Sequence, residues 1–502
     1  MKTTFQALIS ITLLSVVAGC ASYQKNPPLA QYDGDAGYRF DQLELGPGNT
    51  DDLFVVLSFS GGGTRAASLA YGVLEALEGT KIEWQGEEKS LLDEVDMITS
   101  VSGGSFTSGY YSLFRKKIFD GRYEDVFLNQ NIEAKLFWQL LNPVTLINVL
   151  ASSTYSRSDL AADYYNRVIF NNATYNDLVV KNQRPFLLIN STDMTMGSQF
   201  QFIQDQFDLI CSDLSGVHLA RAVATSSAFP GLLSPLTYKN YAEQKCGYSP
   251  KTWVEPAVKD RRLNAQLANI ADIRQSYYKS NLSTEGHRNY VHLIDGGVVD
   301  NIGLRGITDA LEYNMLPYSI VQKLNLEEIK KILIIVVDAA GVEKTRRDKS
   351  PAVPGIFDNI YQTASVPVGR ISDDTINLIE AKVEEFNKDY EARQQCGELL
   401  ADECPAVQSI DPDALQPVDL YISEVSFDFI EDVHRRFAFQ TIPTNFDLSP
   451  KVNKALFSIA CELLVNDERL KELLGGDDGF TGTQVTGTLP DCPAAKLPRP
   501  KK

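Results

Sequence analysis

A serine between small residues is the first group in the sequence that could act as a nucleophile. Residues 100–104 read Ser-Val-Ser-Gly-Gly and lie between an apolar β-type segment, 95–100, and a segment of helical character, 105–119. A serine on a tight strand-to-helix turn projects its hydroxyl group from a sheet, and small neighbours keep the turn free of clashes. We therefore predict that Ser102 is a nucleophile and that Gly104 supports its turn, with Ser100 standing where such turns usually have glycine.

A glycine-rich loop lies about forty residues upstream of this serine and leads directly into a helical segment over 66–78. Backbone N–H groups at a helix start can converge on one anionic atom, helped by the positive end of the helix dipole. The loop could form an oxyanion hole, cradle a phosphate as in the relaxed dinucleotide pattern G-x-G-x-x-A, or simply make a tight packing turn. Its glycines are Gly61, Gly62 and Gly63.

Arg65 adds a fixed positive charge directly after this loop. A guanidinium at this position suits either the phosphate of a lipid or an internal ion pair. Between these two alternatives we favour the phosphate contact.

A third motif places a carboxylate at the end of an apolar strand-like segment, 290–294. Asp295 follows that segment and precedes Gly296 and Gly297, which predict a turn. In open α/β sheets, ligands and catalytic groups gather at the edge formed by the carboxyl ends of the strands. Asp295 is therefore a candidate base for Ser102.

In this order, the three motifs resemble the patatin-like phospholipase family. Two further segments strengthen the resemblance: the Ala/Ser-rich run 222–235 that ends at Pro235, and Ile-Pro-Thr-Asn-Phe at 442–446. The resemblance covers about 51–475, and the loop departs from the family at Ala66, where another glycine is usual. It implies a Ser–Asp dyad of Ser102 and Asp295 with an oxyanion loop over 61–63, and it requires no histidine. We expect no cofactor.

The resemblance also implies a reaction. Asp295 would accept the proton of Ser102, the glycine N–H groups would stabilise the tetrahedral oxyanion, and water would hydrolyse the acyl-serine. Partial burial would raise the pKa of Asp295 and make it a better base. The expected substrates are membrane lipids, with phospholipids and lysophospholipids as the leading classes.

The fold class follows from the order of the elements. Apolar strands are predicted at 53–59, 95–100, 186–190, 290–294 and 332–337, with helical segments between them. This alternation predicts an α/β fold, and the family resemblance implies a three-layer sandwich whose mostly parallel central sheet has helices on both faces. A charged, polar stretch over 237–288 predicts an insertion at the sheet edge, either a surface excursion or a substrate-facing lid.

The N-terminus has the character of a targeting segment. A charged start and a short apolar run precede Val-Ala-Gly-Cys at 17–20, which resembles the lipobox of bacterial lipoproteins. The resemblance implies removal of residues 1–19 and lipidation of Cys20, with the outer membrane of a bacterial cell envelope as the expected location. An ordinary signal peptide is the alternative. We expect a spacer over 20–50, a catalytic domain over 51–475 and a mobile tail over 476–502.

The cysteines beyond Cys20 form an even set in a chain that we expect to be exported. Pairing each cysteine with the next one along the chain suggests Cys211–Cys246, Cys396–Cys404 and Cys461–Cys492, although six cysteines allow fifteen pairings. No C-x-x-C spacing occurs, and the four histidines are scattered without zinc-ligand spacing. We therefore expect no metal site.

Charge narrows the range of partners. The net charge of −18 opposes nucleic-acid phosphates and anionic headgroups, so nucleic-acid binding and electrostatic docking on acidic lipid are disfavoured. A lipid anchor would make such docking unnecessary.

Two rival hypotheses stay open. One is a Ser-His-Asp esterase of the α/β-hydrolase type, since Ser102, Asp295 and His434 occur in the chain order of that fold. The other is a non-catalytic envelope lipoprotein that binds lipid or a protein partner.

Overall fold

A mostly parallel sheet forms the centre of the protein. The computed structural model describes residues 22–498 except 85, 232, 263, 280–287, 313–328, 342–350, 352–354, 356–371, 386, 389–417 and 480. The sheet has eight strands in the order β10-β9-β1-β4-β5-β8-β7, and β6 pairs separately with β5. Its strands are β1 (Leu53–Phe59), β4 (Val95–Val101), β5 (Phe186–Asp193), β6 (Ser198–Gln201), β7 (Leu236–Lys239), β8 (Tyr290–Asp295), β9 (Lys331–Asp338) and β10 (Asp419–Ser426).

Strands β10, β9, β1, β4 and β5 are parallel, whereas β6, β7 and β8 join the sheet in antiparallel pairs. All seven residues of β1 are buried, which explains its unbroken apolar sequence, because a central strand has helices over both of its faces. The predicted α/β class, with a mostly parallel sheet flanked by helices, is confirmed.

Helices follow the parallel strands and cover the sheet. Helix α1 packs on α13, and α5 packs on α8. Residues 372–385 are also helical. The helices are α1 (Gly63–Gly79), α2 (Gly103–Phe114), α3 (Ile132–Leu140), α4 (Pro143–Ala151), α5 (Arg157–Val168), α6 (Tyr175–Lys181), α7 (Gln204–Phe207), α8 (Leu219–Ser226), α9 (Val254–Lys259), α10 (Ala265–Tyr278), α11 (Arg305–Glu312), α12 (Val433–Gln440), α13 (Pro450–Asn466) and α14 (Glu468–Leu474).

The helix predicted over 105–119 is shorter than expected. Helix α2 ends at Phe114, and a 3₁₀ segment continues over Arg115–Asp120. Arg115 has a φ of 55°, a left-handed conformation that stops an α-helix. No helix among the described residues is both long and apolar enough to cross a membrane.

The segment before the sheet is packed rather than extended as a spacer. Arg39 is only 2% exposed and forms ion pairs with Asp205 at 3.1 Å and with Asp208 at 2.8 Å. Its neighbours Tyr38 and Phe40 are buried beside it. The described part of the predicted spacer, 22–50, therefore belongs to the folded body and does not form an extended spacer. Cys20 lies outside the described residues.

The C-terminal segment also differs from the mobile tail that we predicted. Strand β11 (Thr486–Thr488) pairs with β2 (Lys81–Trp84), which in turn pairs with β3 (Glu87–Ser90). A disulfide joins Cys461 to Cys492 and ties the segment to α13. The described part of this segment, up to residue 498, is thus anchored to the body.

Two of the three expected disulfides are present in the described residues. Cys211 pairs with Cys246, and Cys461 pairs with Cys492. These predictions are confirmed. Cys396 and Cys404 lie outside the described residues.

The polar insertion over 237–288 begins in the edge strand β7 and continues through α9 and α10. The phenol of Tyr277, on α10, donates to Asp193 at 2.8 Å, and Asn240 donates to the Tyr277 carbonyl at 2.7 Å. These contacts hold α10 against the end of β5, so the described part of the insertion is tied to the sheet.

Candidate active site

Ser102 occupies the sharp turn between β4 and α2. Its φ of 49° and ψ of −118° are unfavourable for a residue with a side chain, and such conformations cost about 1–3 kcal/mol. The Ser102 N–H donates to the Ser226 hydroxyl at 2.8 Å, and that hydroxyl donates to the Asn190 carbonyl at 2.6 Å. This chain of bonds fixes the turn that presents the Ser102 side chain.

Small residues surround the turn because neighbouring backbone comes close to it. A Cβ added at Gly103 would overlap the carbonyl oxygen of Gly63 and lie 2.6 Å from its nitrogen. A Cβ at Gly104 would lie 2.7 Å from the Phe59 carbonyl oxygen. Gly104 therefore supports the turn as the sequence predicted, and Gly103, which the sequence analysis did not single out, is equally constrained.

Ser100 fills the position where glycine was expected. It is fully buried, and its hydroxyl accepts a hydrogen bond from Ser108, one turn into α2, at 2.7 Å. Burying a hydroxyl group costs little stability when the group is hydrogen-bonded, so serine is tolerated here.

Asp295 lies directly against the serine. The Ser102 hydroxyl donates to Asp295 Oδ2 at 2.8 Å, and the Gly297 N–H donates to Oδ1 of the same carboxylate at 2.8 Å. Ser102 is 8% exposed and Asp295 is 3% exposed. Burial raises the pKa of Asp295 to about 7, and the two hydrogen bonds oppose this rise.

Strand register explains how residues so far apart in sequence meet. In the parallel pair of β4 and β5, Val101 lies opposite Asn190, and in the antiparallel pair of β5 and β8, Ser191 lies opposite Asp295. Strand β5 thus aligns the end of β4 with the end of β8. The N–H of Asp295 is also held by the Ala228 carbonyl, just after α8, at 3.0 Å.

Gly296 and Gly297 form the turn that follows Asp295. A Cβ added at Gly296 would overlap the Asn190 carbonyl oxygen, and one at Gly297 would lie 3.1 Å from Asp295 Oδ1. Close approach to β5 therefore accounts for Gly296, and close approach to the Asp295 carboxylate and the Asn301 side chain accounts for Gly297.

The glycine loop 61–63 lies beside the serine. A Cβ added at Gly61 would be 3.2 Å from the Ser102 Cβ. Gly62 and Gly63 have φ values of 139° and 59°, which favour glycine. The loop ends at the start of α1, where backbone N–H groups lack intrahelical acceptors.

The N–H groups of the loop are not equivalent. Gly61 donates to the Asn301 carbonyl at 3.0 Å, and Thr64 donates to the Asn445 carbonyl at 2.9 Å. Since the N–H of Gly61 already has an acceptor, our expectation that all three glycines supply oxyanion donors needs correction. Gly62 and Gly63 are the better candidates.

Arg65 points into the fold. It is buried, and its guanidinium donates to the Ile442 carbonyl at 2.6 Å. Its charge also lowers the pKa of buried Asp338, although burial is the larger effect there and leaves that pKa raised. The geometry favours the internal role over the expected contact with a lipid phosphate.

His434 is not buried with the other two candidate groups. It lies on α12 and is exposed, whereas Ser102 and Asp295 are buried and bonded directly to each other. This arrangement favours a dyad over a Ser-His-Asp triad.

An apolar cavity of about 450 Å³ lies between α3 and α5, and its lining does not include Ser102 or Asp295. Phe446 lines it, one residue after the Asn445 carbonyl that binds the start of α1. Leu233 lines it from the segment that follows Ala228, whose carbonyl holds Asp295. The remaining lining comes mainly from α3 and α5.

Sequence reasoning missed three residues that support the site. Ser226 orients the Ser102 turn, the Asn190 carbonyl accepts from Ser226, and the Asn301 carbonyl holds the glycine loop. Ser226 lies in the Ala/Ser-rich run that was recognised, so it had a signal. Asn190 and Asn301 act through their main-chain carbonyls, which leave no signature in the sequence.

A known protein family matches the part of the chain that contains the candidate site. The profile of the family described as Patatin-like phospholipase matches residues 57–307, half of the 502-residue chain. No curated protein matches the chain significantly.

Two solved structures with weak overall similarity are human GIVD cytosolic phospholipase A2 and VipD from Legionella pneumophila. The human protein is 14% identical with a TM-score of 0.31, and the match covers 56% of this chain but 42% of that chain. VipD is 12% identical with a TM-score of 0.26, and the match covers 83% of this chain and 67% of that chain. The family match spans the glycine loop, Ser102 and Asp295, and the chain belongs to the patatin-like phospholipase family.

Proposed function

We propose that the protein is a serine acyl-ester hydrolase of membrane lipids, of the phospholipase A or lysophospholipase type. The observation that carries this proposal is the 2.8 Å hydrogen bond from the Ser102 hydroxyl to Asp295 Oδ2, with both groups buried. A nucleophile within hydrogen-bond reach of its base is the geometric requirement for acyl transfer through serine.

The reaction uses groups that are already in place. Asp295 takes the Ser102 proton as Oγ attacks the ester carbonyl, and the N–H groups of Gly62 and Gly63 stabilise the oxyanion that forms. The intermediate collapses to an acyl-serine while Asp295 returns the proton to the leaving alcohol. Asp295 then deprotonates a water, which attacks the acyl-serine, releases the fatty acid and leaves the proton on Ser102.

The raised pKa of Asp295 suits this role. A carboxylate with a pKa of about 7 holds a proton far better than an exposed aspartate does, so it can act as the base and then as the acid near neutral pH. The cavity of about 450 Å³ between α3 and α5, lined mainly by apolar side chains, supports the binding of an acyl chain.

Labelling with a serine-directed fluorophosphonate tests the proposal. The wild-type protein should be labelled, Ser102→Ala should not, and Asp295→Asn should be labelled at least 100-fold more slowly, within the usual range for loss of a general base. Mass analysis of products from phospholipid vesicles should then show fatty acid and lysolipid. Absence of label on folded wild-type protein would instead support a non-catalytic lipid-binding role.

We also propose that the domain is anchored to a bacterial outer membrane through lipidated Cys20. The support is the sequence Val-Ala-Gly-Cys at 17–20 after a short apolar run. Mass spectrometry of the N-terminal peptide from membrane-extracted protein should find the mass of a diacylglyceryl group and an acyl chain on Cys20. An unmodified cysteine in the mature protein would contradict this part of the proposal.

A further inference from the structure

The helix pair α3–α4 presents an unusual apolar surface. Trp138 is 70% exposed and Leu150 is 76% exposed. Within 132–150, the only buried residue is Ile132. An exposed patch of large apolar side chains is rare on monomeric proteins and marks a site of interaction. The other exposed members of this patch are Phe137, Leu141 and Val144.

From residue 136 onward the helix pair carries no charge, although Glu133 and Lys135 in its first turn are charged and exposed. Residues 136–156 contain no Asp, Glu, Lys or Arg, whereas 22% of the whole chain is charged. A protein with a net charge of −18 thus has an uncharged surface with exposed apolar side chains along 136–150. Such a face favours a neutral or zwitterionic lipid surface and offers nothing to an anionic one.

The ends of the helices are well defined, so the exposure does not come from an irregular loop. The Asn131 side chain caps α3 by accepting from Ala134 at 2.7 Å, and Asn142 caps α4 by accepting from Val144 at 3.0 Å. Pro143 starts α4 and prevents the two helices from merging. The result is a pair of short amphipathic helices rather than a membrane span.

The pair is tied to the body at its first turn, beside the cavity. The N–H of Ile132 donates to the Phe446 carbonyl at 2.9 Å, and the N–H of Phe446 donates to Glu133 Oε1 at 3.0 Å. Phe137 belongs both to the exposed patch and to the cavity lining. The exposed patch is therefore continuous with this cavity.

We propose that the α3–α4 pair is the surface through which the protein docks on a neutral or zwitterionic lipid bilayer. Docking inserts the Trp138 and Leu150 side chains into the interface and brings the cavity mouth to the acyl chains. Tryptophan is well suited to this position because its ring buries apolar area while its N–H stays near water. This inference rests on the proposed lipid hydrolase function, since it names how that site meets its substrate.

Trp138 provides a direct test of insertion. The chain has three tryptophans, and the side chain of Trp84 is buried. In a Ser102→Ala background, which prevents lipid breakdown, fluorescence should be quenched by phosphatidylcholine vesicles carrying brominated acyl chains. A matched Trp138→Phe protein keeps the apolar surface and should lose this quenching. Equal quenching in both proteins overturns the proposal.

A second experiment separates docking from catalysis. The double variant Trp138→Ser, Leu150→Ser should bind phosphatidylcholine vesicles at least ~10-fold more weakly in sedimentation, since each change removes a large apolar contact. Its hydrolysis of the same vesicles should fall in parallel, while hydrolysis of a soluble short-chain ester stays unchanged. Val180→Ser, an exposed valine on α6, is the matched control and should behave as wild type.

Each outcome has a distinct meaning. Unchanged vesicle binding and hydrolysis in the double variant overturns docking through this surface. If the protein forms a concentration-dependent dimer without lipid, and the double variant does not, then the surface binds a second copy of the chain. That result also overturns docking on lipid. If the wild type hydrolyses neither the vesicles nor the soluble ester, the proposed hydrolase function is contradicted. The quenching experiment alone then decides whether the protein docks through this surface.

Discussion

The pH dependence of Ser102 reactivity follows from the burial of Asp295. Burial raises the pKa of this carboxyl group from its ordinary value of 3.8 to about 7, against the smaller opposing effects of the Gly297 N–H and the Ser102 hydroxyl. Only the ionised carboxylate can accept the serine proton. The active fraction is therefore lost as the pH falls through the folded-state pKa, which places the acid limb near neutrality rather than near pH 4.

The magnitude follows from the titration curve. With a pKa of about 7, the ionised fraction falls to about one tenth at pH 6 and about one hundredth at pH 5. The second-order rate constant for labelling of Ser102 by an uncharged fluorophosphonate should fall by the same factors relative to its plateau above pH 8. Asp295→Asn should show a low rate with no comparable acid limb.

An uncharged probe makes this assay specific, because neither substrate ionisation nor product release affects the labelling rate. Circular dichroism at each pH should show that the fold is intact across the range. A labelling rate that stays constant from pH 8 to pH 5 would refute the reasoning: either Asp295 remains ionised in spite of its burial, or it is not the base.

Three further predictions test the oxyanion loop, the choice of base and the N-terminal packing. Gly103→Ala should lower kcat/KM about 10²–10³-fold in ester hydrolysis, because its methyl group displaces the Gly63 backbone. His434→Ala should leave kcat/KM essentially unchanged, since that side chain is exposed. Arg39→Leu should lower the free energy of unfolding by about 3–5 kcal/mol in urea, because Asp208 stays buried without its cation.

Controls make these outcomes decisive. Thermal unfolding of Gly103→Ala should show that the protein is folded, so that its loss of activity reports the site. Arg469→Ala breaks an exposed ion pair with Glu472 and should change the free energy of unfolding by less than about 1 kcal/mol. A loss in His434→Ala as complete as in Ser102→Ala contradicts the dyad, and an Arg39→Leu protein as stable as Arg469→Ala contradicts the packing argument.

The central strands could be predicted because burial on both faces leaves a direct trace in sequence. Strand β1 has the predicted bounds, and β4 and β9 each extend one residue or two beyond the prediction. The edge strand β10 was missed, since its sequence mixes apolar residues with Asp419 and Glu424. A strand at a sheet edge need not be apolar throughout, so its composition resembles that of many loops.

The direction of β8 could not be predicted. We placed Asp295 at the carboxyl edge of the sheet by assuming that its strand runs with the others, but β8 is antiparallel to β5. Asp295 still reaches that edge because β8 overlaps only the last three residues of β5, from Ser191 to Asp193. The position was right, yet the reason was wrong, since strand direction depends on connections that the sequence does not reveal.

The packing of the N-terminal segment was missed for a related reason. Tyr38, Arg39 and Phe40 sit among residues typical of loops, and their burial depends on Asp205 and Asp208, more than 160 positions away. Local composition carries no information about partners at that separation. Long-range ion pairs therefore explain why a segment with loop character is buried.

The partners of Asp295 differ from those of several other buried carboxylates. Arg39 lies beside Asp208, Arg221 beside Asp159 and Lys331 beside Asp419, whereas buried Asp300 accepts from backbone N–H groups.

Asp295 instead contacts a hydroxyl and a backbone N–H. A cation would stabilise the ionised form and lower the pKa, which would make the carboxylate a weaker base. Its uncharged surroundings keep the pKa of Asp295 at about 7, at a cost in stability. Ser102 adds a second cost, because its φ of 49° is unfavourable for a residue with a side chain. A turn selected only for stability would avoid both costs, which supports the proposed roles of Ser102 as nucleophile and of Asp295 as its base.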